Sequence, residues 1–374
     1  MYSDATATPS FFEALRRDFL FCTLLLILVL LTAATPGKIG TYPSLVDWAT
    51  IATLGGLLVL TKGVELSGYL TRLGKRLIDL MPTERALAVF LVLATALLST
   101  LLTNDVALFV IVPLTVGLHT AASLPITRLV VFEALAANAG STLTPIGNPQ
   151  NLFLWHQSHI SFHRYVIAML PLAAILMATL LLLTVVAFQG RRLELRKEAV
   201  REPVRAGLLL LSLLLYIPFL VCADLHYPVP ALALVMTIFL LMHRDVLKQV
   251  DWPLILVFIL MFIDLRLIAQ TALMRSLIDS AGLANLRNLY FAGIATSQFI
   301  SNVPAAILLS EYTREWRLVA YAVNVGGFGF ILGSLANIIA LRIARERGTW
   351  LTFHAFSIPF LLVAGSLVYL WLFI

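Results

Sequence analysis

Four short polar segments interrupt a chain that is otherwise strongly apolar. The first two are Thr103-Asn104-Asp105 and Ser301-Asn302-Val303, each in the middle of an apolar stretch. Thr, Ser, Asn and Asp are the residue types that cap helix N-termini. A helix N-terminus offers free N–H groups and a partial positive charge, which suit an anion or an oxygen-rich solute. The two segments therefore predict a pair of helix tips that face one another across a solute site.

The other two polar segments combine asparagine with residues that break helices. One runs from Asn138 to Asn151 and the other from Asn324 to Asn337. Inside a bilayer, non-helical backbone is stable only where it is buried in protein or lines a wet cavity. We expect the chain to unwind at both places, so that its carbonyl groups can hold a cation or a proton donor. The alternative is close helix packing through small residues such as Gly327 and Gly329.

Glu133 lies in an apolar run shortly before the first of these breaks. An acid inside a membrane span is a candidate for a functional role, here the handling of a proton. The alternative is a structural ion pair with Arg128. Asp264 and Arg266 are two residues apart near the end of another apolar run, and we expect them to reach the membrane interface.

Three histidines and two cysteines are the remaining reactive groups. His156, His159 and His163 have a spacing that fits one helical face, so they could bind a metal or sense pH. Their expected position in an outer loop favours no such role, and we assign no metal site. Cys22 and Cys222 are 200 residues apart, which indicates neither a disulfide framework nor a metal site.

Composition places these residues in a membrane protein. Of the 374 residues, 60% are hydrophobic and 12% are charged, and the mean hydropathy is +0.95. Apolar runs long enough for the roughly 30 Å hydrocarbon core recur along the chain. These runs are 18–34, 45–61, 164–188, 206–221, 252–263 and 352–374. The lipid bilayer is therefore an expected partner, and the net charge of +6 is explained by basic loops rather than by nucleic-acid binding.

The polar features occur twice in the same order. Asp47-Trp48 and Asp251-Trp252 each precede an apolar run, an amphipathic stretch (64–80 or 268–284), a polar tip and a glycine-rich break. The prediction is an all-α polytopic membrane protein of two inverted-topology repeats, each with a re-entrant hairpin and a broken transmembrane helix. The predicted segments are a tail and first span (1–44), repeat 1 (45–189, hairpin 84–117, broken helix 127–157), a cytoplasmic linker (190–205), connecting spans (206–249) and repeat 2 (250–374, hairpin 286–311, broken helix 318–345).

The basic residues predict the orientation. Lys and Arg in short loops stay on the cytoplasmic side of a membrane. This rule places the N-terminus and the arginine-rich linker inside and the C-terminus outside a plasma membrane, which would be the inner membrane in a bacterium. The assignment depends on neither hairpin crossing the bilayer completely.

The four segments together resemble the ion transporter superfamily, which includes sodium/dicarboxylate symporters, citrate transporters and arsenite-efflux permeases. The tips Thr103-Asn104-Asp105 and Ser301-Asn302-Val303 resemble its Ser-Asn-Thr hairpin tips. The stretches Gly147–Asn151 and Gly333–Asn337 resemble its Gly-Thr-Pro-Pro-Asn signature. The likeness covers nearly the whole chain from Asp47. It implies a homodimer whose transport domain moves past a fixed scaffold.

The resemblance also implies roles for individual residues. Asn104, Asn302, Asn151 and Asn337 would surround cation sites, and residues at the Thr positions would contact substrate. The predicted substrate contacts are Thr103, Asn104, Thr144, Asn148, Ser301, Asn302 and Ser334. The residues predicted to serve the coupling ion or proton are Asp105, Asn138, Gly140, Asn151, Asn324, Gly326, Asn337 and Glu133. No cofactor is expected beyond Na+ or H+ as a coupling ion.

The two tips differ at their third residue, Asp105 against Val303, where the dicarboxylate branch has hydroxyls. A carboxylate there would repel a dianion, but it could carry a proton or accept a hydrogen bond from a weak acid. As an alternative or in addition, Asp105 caps its own helix. The difference favours the citrate-transporter-like and arsenite-permease-like branch.

The predicted function is secondary active transport of a small anion or weak acid, coupled to H+ or Na+ by alternating access. The substrate classes that fit are inorganic oxyanions, metalloid acids and carboxylates. The alternatives are a channel that dissipates a gradient and a cation/proton antiporter of the same fold. An intramembrane enzyme is not expected, because the chain has neither an HExxH nor a GxSxG motif.

Overall fold

The computed structural model describes residues 19–78, 80–118, 124–193, 203–344 and 348–374. Outside them lie the predicted N-terminal tail to residue 18, most charged residues of the predicted linker (194–202), and Arg345 and Arg347. Within them the chain forms nineteen α-helices and no β-strand. The helices are α1 Phe19–Ala34, α2 Tyr42–Leu45, α3 Trp48–Leu66, α4 Tyr69–Ile78, α5 Glu84–Leu101, α6 Asn104–Gly117, α7 Ile126–Ser141, α8 Pro149–Ser158, α9 Phe162–Ala187, α10 Ala206–Asp224, α11 Pro228–Met242, α12 Arg244–Leu247, α13 Trp252–Ala269, α14 Ala272–Ala281, α15 Leu286–Ile300, α16 Asn302–Ser310, α17 Trp316–Val325, α18 Leu335–Ala344 and α19 Thr349–Phe373.

Six helices in the described part of the chain are long and apolar enough to cross a membrane. They are α3, α5, α9, α10, α13 and α19. A seventh candidate is α1 with the segment Pro36–Leu45, two pieces bent by 118°. Large apolar side chains such as Ile167 and Leu182 of α9 are exposed on the protein surface, as lipid contact requires. The chain is a multi-pass helical membrane protein, which confirms the prediction from composition.

The succession of helices from α2 to α9 occurs again from α12 to α19. The helices after Asp47 and Asp251 have 19 and 18 residues, the short helices α4 and α14 have 10 each, and α9 and α19 have 26 and 25. The opposite orientation of the two series and the re-entrant course of α5–α6 and α15–α16 stay predictions.

Polar caps fix where many of these helices begin. The Asp47 carboxylate accepts a hydrogen bond from the Thr50 N–H (2.9 Å) at the start of α3, and Asp251 accepts one from the Leu254 N–H (3.3 Å) at the start of α13. Such caps satisfy N–H groups that have no partner within the helix. The apolar runs continue beyond their predicted ends, since α3 reaches Leu66 and α13 reaches Ala269.

Each helix series contributes one helix that packs against helices of the other series. Helix α18 packs against α6 and α7 of the first series, and α8 packs against α16 and α17 of the second. Helix α7 is rich in small buried residues, since Ala134, Ala136, Ala137 and Ala139 are all fully buried, and small residues allow helices to pack closely. Around this centre, α3 packs against α10 and α11, and α13 packs against α1. The helix ends at both breaks are thus brought together from distant parts of the sequence.

Candidate functional site

The polar centre of the protein lies between two interrupted helices. Helix α7 ends at Ser141 and α8 begins at Pro149, while α17 ends at Val325 and α18 begins at Leu335. Asn148 caps α8 by accepting a hydrogen bond from the Asn151 N–H (2.9 Å). The Ser334 hydroxyl accepts one from the Ala336 N–H (3.3 Å) in the equivalent place before α18. The sequence prediction that the chain unwinds at these two places agrees with the helix ends.

Two asparagine pairs connect the first break to the second. The Asn138 Nδ2 donates to Asn337 Oδ1 at 2.8 Å, and the Asn324 Nδ2 donates to Asn151 Oδ1 at 2.7 Å. All four side chains are buried. The pairs are reciprocal, because each joins the end of a first broken-helix segment in one series to the start of the second segment in the other. With Asn148, these residues form what we call the asparagine cluster.

The unwound backbone is tied to the same cluster. The Asn151 Nδ2 donates to the carbonyl oxygens of Ser141 and Thr142 (3.1 Å each) and Thr144 (3.4 Å). The Asn337 Nδ2 donates to the Gly327 carbonyl at 3.0 Å. A carbonyl oxygen has two lone pairs. The Ser141 and Thr144 carbonyls each accept a second hydrogen bond, from Asn148 Nδ2 and from the Gly147 N–H (3.3 Å each). The loops therefore present oriented oxygens rather than a flexible chain.

Residues that the prediction left out also bond to the cluster. Asn324 Oδ1 accepts hydrogen bonds from Asn148 Nδ2 (3.1 Å), Thr142 Oγ1 (3.4 Å) and Gln150 Nε2 (3.5 Å). Asn148 Nδ2 also reaches the Ser141 hydroxyl at 3.0 Å. The polar segment from Asn138 to Asn151 contains these three residues, Ser141, Thr142 and Gln150. The sequence therefore showed their residue types, but it did not show that their side chains point toward the asparagine cluster.

The helix arms that lead to the tips hold both loops in place. The Thr100 hydroxyl of α5 donates to the Gly140 carbonyl at 2.7 Å. In α15, the Gln298 Nε2 donates to the carbonyls of Gly326 (2.7 Å) and Phe328 (2.9 Å). Sequence reasoning missed both arm residues. The available signal was a polar residue four positions before each tip asparagine.

The first tip is tied to the first break. The Thr103 hydroxyl accepts from the Val106 N–H (3.4 Å) and so caps α6, and the Asn104 N–H donates to the Gly147 carbonyl at 2.9 Å. The Thr144 hydroxyl donates to the Thr100 carbonyl at 2.7 Å. Thr103, Asn104 and Thr144 are buried, whereas Asp105 is partly exposed in the first turn of α6.

The second tip is built differently. Ser301 has φ +73° and ψ 157°, a conformation that costs energy in any residue except glycine, and its side chain does not cap α16. Asn302 is buried, and its Oδ1 accepts a hydrogen bond from the Ser301 hydroxyl at 3.4 Å. A Cβ atom at Gly327 would lie 3.2 Å from Asn302 Nδ2, so the tip amide lies against the second break. The start of α16 is therefore a helix N-terminus without a side-chain cap, next to the asparagine cluster.

Glu133 lies apart from this cluster. The Thr115 hydroxyl of α6 donates to its Oε1, and its Oε2 has no hydrogen-bond partner among the described residues. Arg128 does not pair with it. Instead the Arg128 guanidinium donates to the Ala187 carbonyl at 2.8 Å and lies over the Phe188 ring, so the ion-pair alternative is wrong.

The three histidines do not share one helical face. Helix α8 ends at Ser158, and His159 has the left-handed φ of +53°, which separates it from the helix that begins at Phe162. His156 is buried and bonds to the Thr53 hydroxyl at 2.9 Å, whereas His163 bonds to Ser161 at 3.0 Å. Within the described residues, no group of three His, Cys, Asp or Glu side chains could hold a metal.

Asp264 and Arg266 also differ from the prediction that both reach the membrane interface. Arg266 pairs with Glu311 (3.0 Å) and donates to the Leu45 carbonyl (2.7 Å). Asp264 has no exposed surface. The side chain of Asp264 turns inward because α13 extends past it to Ala269 and is covered by neighbouring helices on that face.

A buried polar centre between interrupted helices, within at least six apolar spans, defines the class as a multi-pass membrane transporter. The chain belongs to the citrate transporter family, whose profile matches residues 10–315. It is 45% identical over 359 residues to the inner membrane protein YbiR of Escherichia coli (strain K12), covering 96% of each chain. It is 32% identical over 333 residues to the uncharacterized transporter MJ0456 of Methanocaldococcus jannaschii, covering 87% of this chain and 88% of that one.

Proposed function

We propose that this protein is a secondary active transporter that moves a small anion or weak acid, coupled to H+ or Na+. The observation that carries the proposal is the uncapped N-terminus of α16 beside the asparagine cluster. Its first N–H groups can bind an anionic oxygen, and its dipole favours negative charge. An inorganic oxyanion, a metalloid acid and a carboxylate all have such an oxygen.

In this proposal the substrate lies between the two tips. Thr103 and Asn104 at the first tip and Ser301 and Asn302 at the second would contact it. Thr144, Asn148 and Ser334 would complete the site from the two breaks. The contacts are neutral hydroxyl and amide groups, which can donate to an anion and accept from an undissociated acid. The site would therefore favour oxygen-rich solutes of low charge.

The coupling ion would bind on the cluster side of the tips. Partly exposed Asp105 directly follows the tip residue Asn104, and we assign it the coupling proton. The oriented carbonyls and amides of the two breaks would hold a cation if Na+ is used, because Na+ takes oxygen ligands. The residues proposed for this part are Asn138, Gly140, Asn151, Asn324, Gly326 and Asn337. Glu133 would serve as a second proton group within the same helix bundle.

Alternating access would move this bundle as a unit. The asparagine pairs and the helix contacts between the two series join α6–α8 to α16–α18, so the two tips cannot separate without breaking buried hydrogen bonds. A rigid bundle of this kind suits sliding past α3 and α13. We further propose a homodimer, by analogy with the ion transporter superfamily, in a bacterial inner membrane, by analogy with the relative from Escherichia coli.

Flux in proteoliposomes tests the function. A panel of arsenite, small oxyanions and carboxylates is offered with an imposed H+ or Na+ gradient and without one. Uphill accumulation that needs a gradient is expected for one solute class. Flux that only dissipates the solute gradient would indicate a channel, and absence of flux for every solute would refute transport of these classes.

The role of Asp105 is tested separately with Asp105→Asn. The amide has nearly the same shape as the carboxylate and leaves the Thr103 cap of α6 in place, but it cannot carry a proton. We expect gradient-driven uptake to be lost, whereas substrate-induced thermal stabilisation remains. The control is Asp279→Asn, which removes an exposed carboxylate on α14 and should leave uptake unchanged. Coupled uptake at the wild-type rate in Asp105→Asn would show that the proton is carried elsewhere.

A further inference from the structure

Asp264 is a buried acid that the proposed transport site does not use. It lies within α13, between Ile263 and Leu265, and has no exposed surface. Neither of its carboxyl oxygens has a hydrogen-bond partner among the described residues. The buried side chains of the asparagine cluster, by contrast, are all bonded, and the buried acid Glu133 keeps a hydrogen-bond partner on one of its two oxygens. An acid left in this state inside a membrane span calls for a physical explanation.

The helices around α13 supply no free counter-charge. Helix α13 packs against α1, α2, α3, α14 and α16, and its Phe262 ring lies 5.4 Å from that of Phe153 on α8. The described titratable or charged groups on these elements are Cys22 on α1, Tyr42 on α2, Lys62 and Glu65 on α3, His156 on α8, and Arg275 and Asp279 on α14; α16 has none.

Each cation in this set is engaged or remote. Lys62 pairs with Glu65 at 2.7 Å, and His156 bonds to Thr53. Arg275 is exposed on α14. On α13 itself, Arg266 is held by Glu311 and the Leu45 carbonyl, and its position two residues from Asp264 puts it on another side of the helix. An ionised Asp264 would therefore be an isolated charge in an apolar interior.

Two species could neutralise such a carboxylate, a metal cation or a proton. A hard cation needs several oxygen ligands, and in the described part of the chain no three His, Cys, Asp or Glu side chains are grouped so that they could hold a metal ion. The α13 residues on the same face, Val257 and Met261, are apolar and buried. A proton needs no further ligand. We propose that Asp264 is a proton-binding site, separate from the asparagine cluster, and that it is protonated in the conformation described here.

The position of this site connects it to the moving parts. On either side of Asp264, Phe262 contacts α8 and Arg266 bonds to Glu311, directly after α16. Helix α8 carries Asn151 of the asparagine cluster, and α16 begins at the second tip of the proposed transport site. The site occurs in only one helix series, because the equivalent position in α3 is Leu60. A change in the packing of α13 would let water reach Asp264 and release its proton.

Infrared spectroscopy tests the proposal without any substrate, so its outcome does not depend on the proposed function. The protein is labelled with carbon-13 at the aspartate carboxyl group in an Asp105→Asn background and reconstituted in lipid at neutral pH. Exposed aspartates are ionised there and give no band for a protonated carboxyl. We expect one isotope-shifted band of a protonated carboxyl, which is absent from Asp264→Asn and unchanged in Asp279→Asn.

A second variant keeps the test decisive if Asp264→Asn does not fold. Asp264→Glu preserves the acid but carries no label, so the protonated band should lose its isotope shift. Absence of the shifted band in the labelled parent protein would overturn the proposal, because Asp264 would then be ionised. Persistence of the shifted band in Asp264→Glu would assign the proton to another aspartate and would equally overturn it.

Discussion

The bond between Asn151 and Asn324 should be a major connection between the two helix series, and a double-mutant cycle can measure it. The Asn151 side chain takes part in four hydrogen bonds, one from Asn324 and three to backbone carbonyls of the first break. The Asn324 amide also donates to the Ala320 carbonyl at 2.8 Å. Replacing either residue by alanine leaves the other buried with a missing partner.

The expected magnitudes follow from these counts. A net value of about 1 kcal/mol per hydrogen bond gives about 4 kcal/mol for Asn151→Ala. The average of about 0.6 kcal/mol found between membrane helices gives about 2.4 kcal/mol. We therefore expect Asn151→Ala to lower the free energy of unfolding by about 2–4 kcal/mol. The double variant with Asn324→Ala should lose about 1–2 kcal/mol less than the sum of the two single losses. Each single variant loses the hydrogen bond between Asn151 and Asn324 and leaves the remaining amide buried without that partner. The double variant loses this bond only once and leaves neither amide unpaired.

The assay is reversible unfolding of the purified protein in mixed micelles by titration with sodium dodecyl sulfate, followed by tryptophan fluorescence. The control cycle combines Asn151→Ala with Tyr290→Phe, which removes a hydrogen bond to the Gly365 carbonyl between α15 and α19. Side chains that share no partner should be additive within about 0.5 kcal/mol. Additive losses for Asn151→Ala and Asn324→Ala as well would refute the energetic coupling between the two breaks.

Three further substitutions test local features of the fold. Gly140→Ala should destabilise the protein by about 1–3 kcal/mol, because the added methyl group would overlap the backbone of α5. The control Gly117→Ala places its methyl group in open space and should leave the stability unchanged. Thermal unfolding of the two variants compares their stabilities. Ser301→Gly should raise the free energy of unfolding by about 1 kcal/mol, since glycine adopts the positive φ without strain; a loss of stability would contradict this reading. Arg205 forms an ion pair with Asp245 at 2.7 Å, and its hydrogen bond lowers the pKa of the Asp245 carboxyl. The ion pair therefore stabilises the folded protein at pH values above the unfolded-state pKa of Asp245. This stabilisation is lost as the pH falls through the folded-state pKa. Arg205→Ala should therefore flatten the fall of melting temperature in acid, and an unchanged slope would show that the pair does not contribute.

The location of the helices followed largely from the sequence. Apolar runs of spanning length require helices in a bilayer, and the capping residues Asp47, Thr103, Asn148 and Asp251 stand where helices begin. The prediction of a polytopic all-α protein is confirmed by the structure, and that of a citrate-transporter-like family member by its relatives. These features depend on local composition, which a single sequence displays directly.

The partners of individual side chains depended on tertiary packing. Sequence reasoning placed Asn138 and Asn337 in one site, but their bond joins residues 199 positions apart. It left Glu133 with two alternatives, and the Thr115 hydroxyl rather than Arg128 proved to be its partner. Which face of a helix is buried depends on the helices that pack against it. The residue pattern within one helix does not show which neighbours these are.

Asp264 illustrates the same limit most clearly. Its position near the end of an apolar run predicted that Asp264, like Arg266, would reach the membrane interface. In the structure Asp264 is buried, and Arg266 pairs with Glu311. Residue types and spacing by themselves determined that this chain crosses a membrane and where its helices break. Only the packing of α13 among its neighbours decided which acid lies in apolar surroundings, because burial is a property of several distant segments that meet in space.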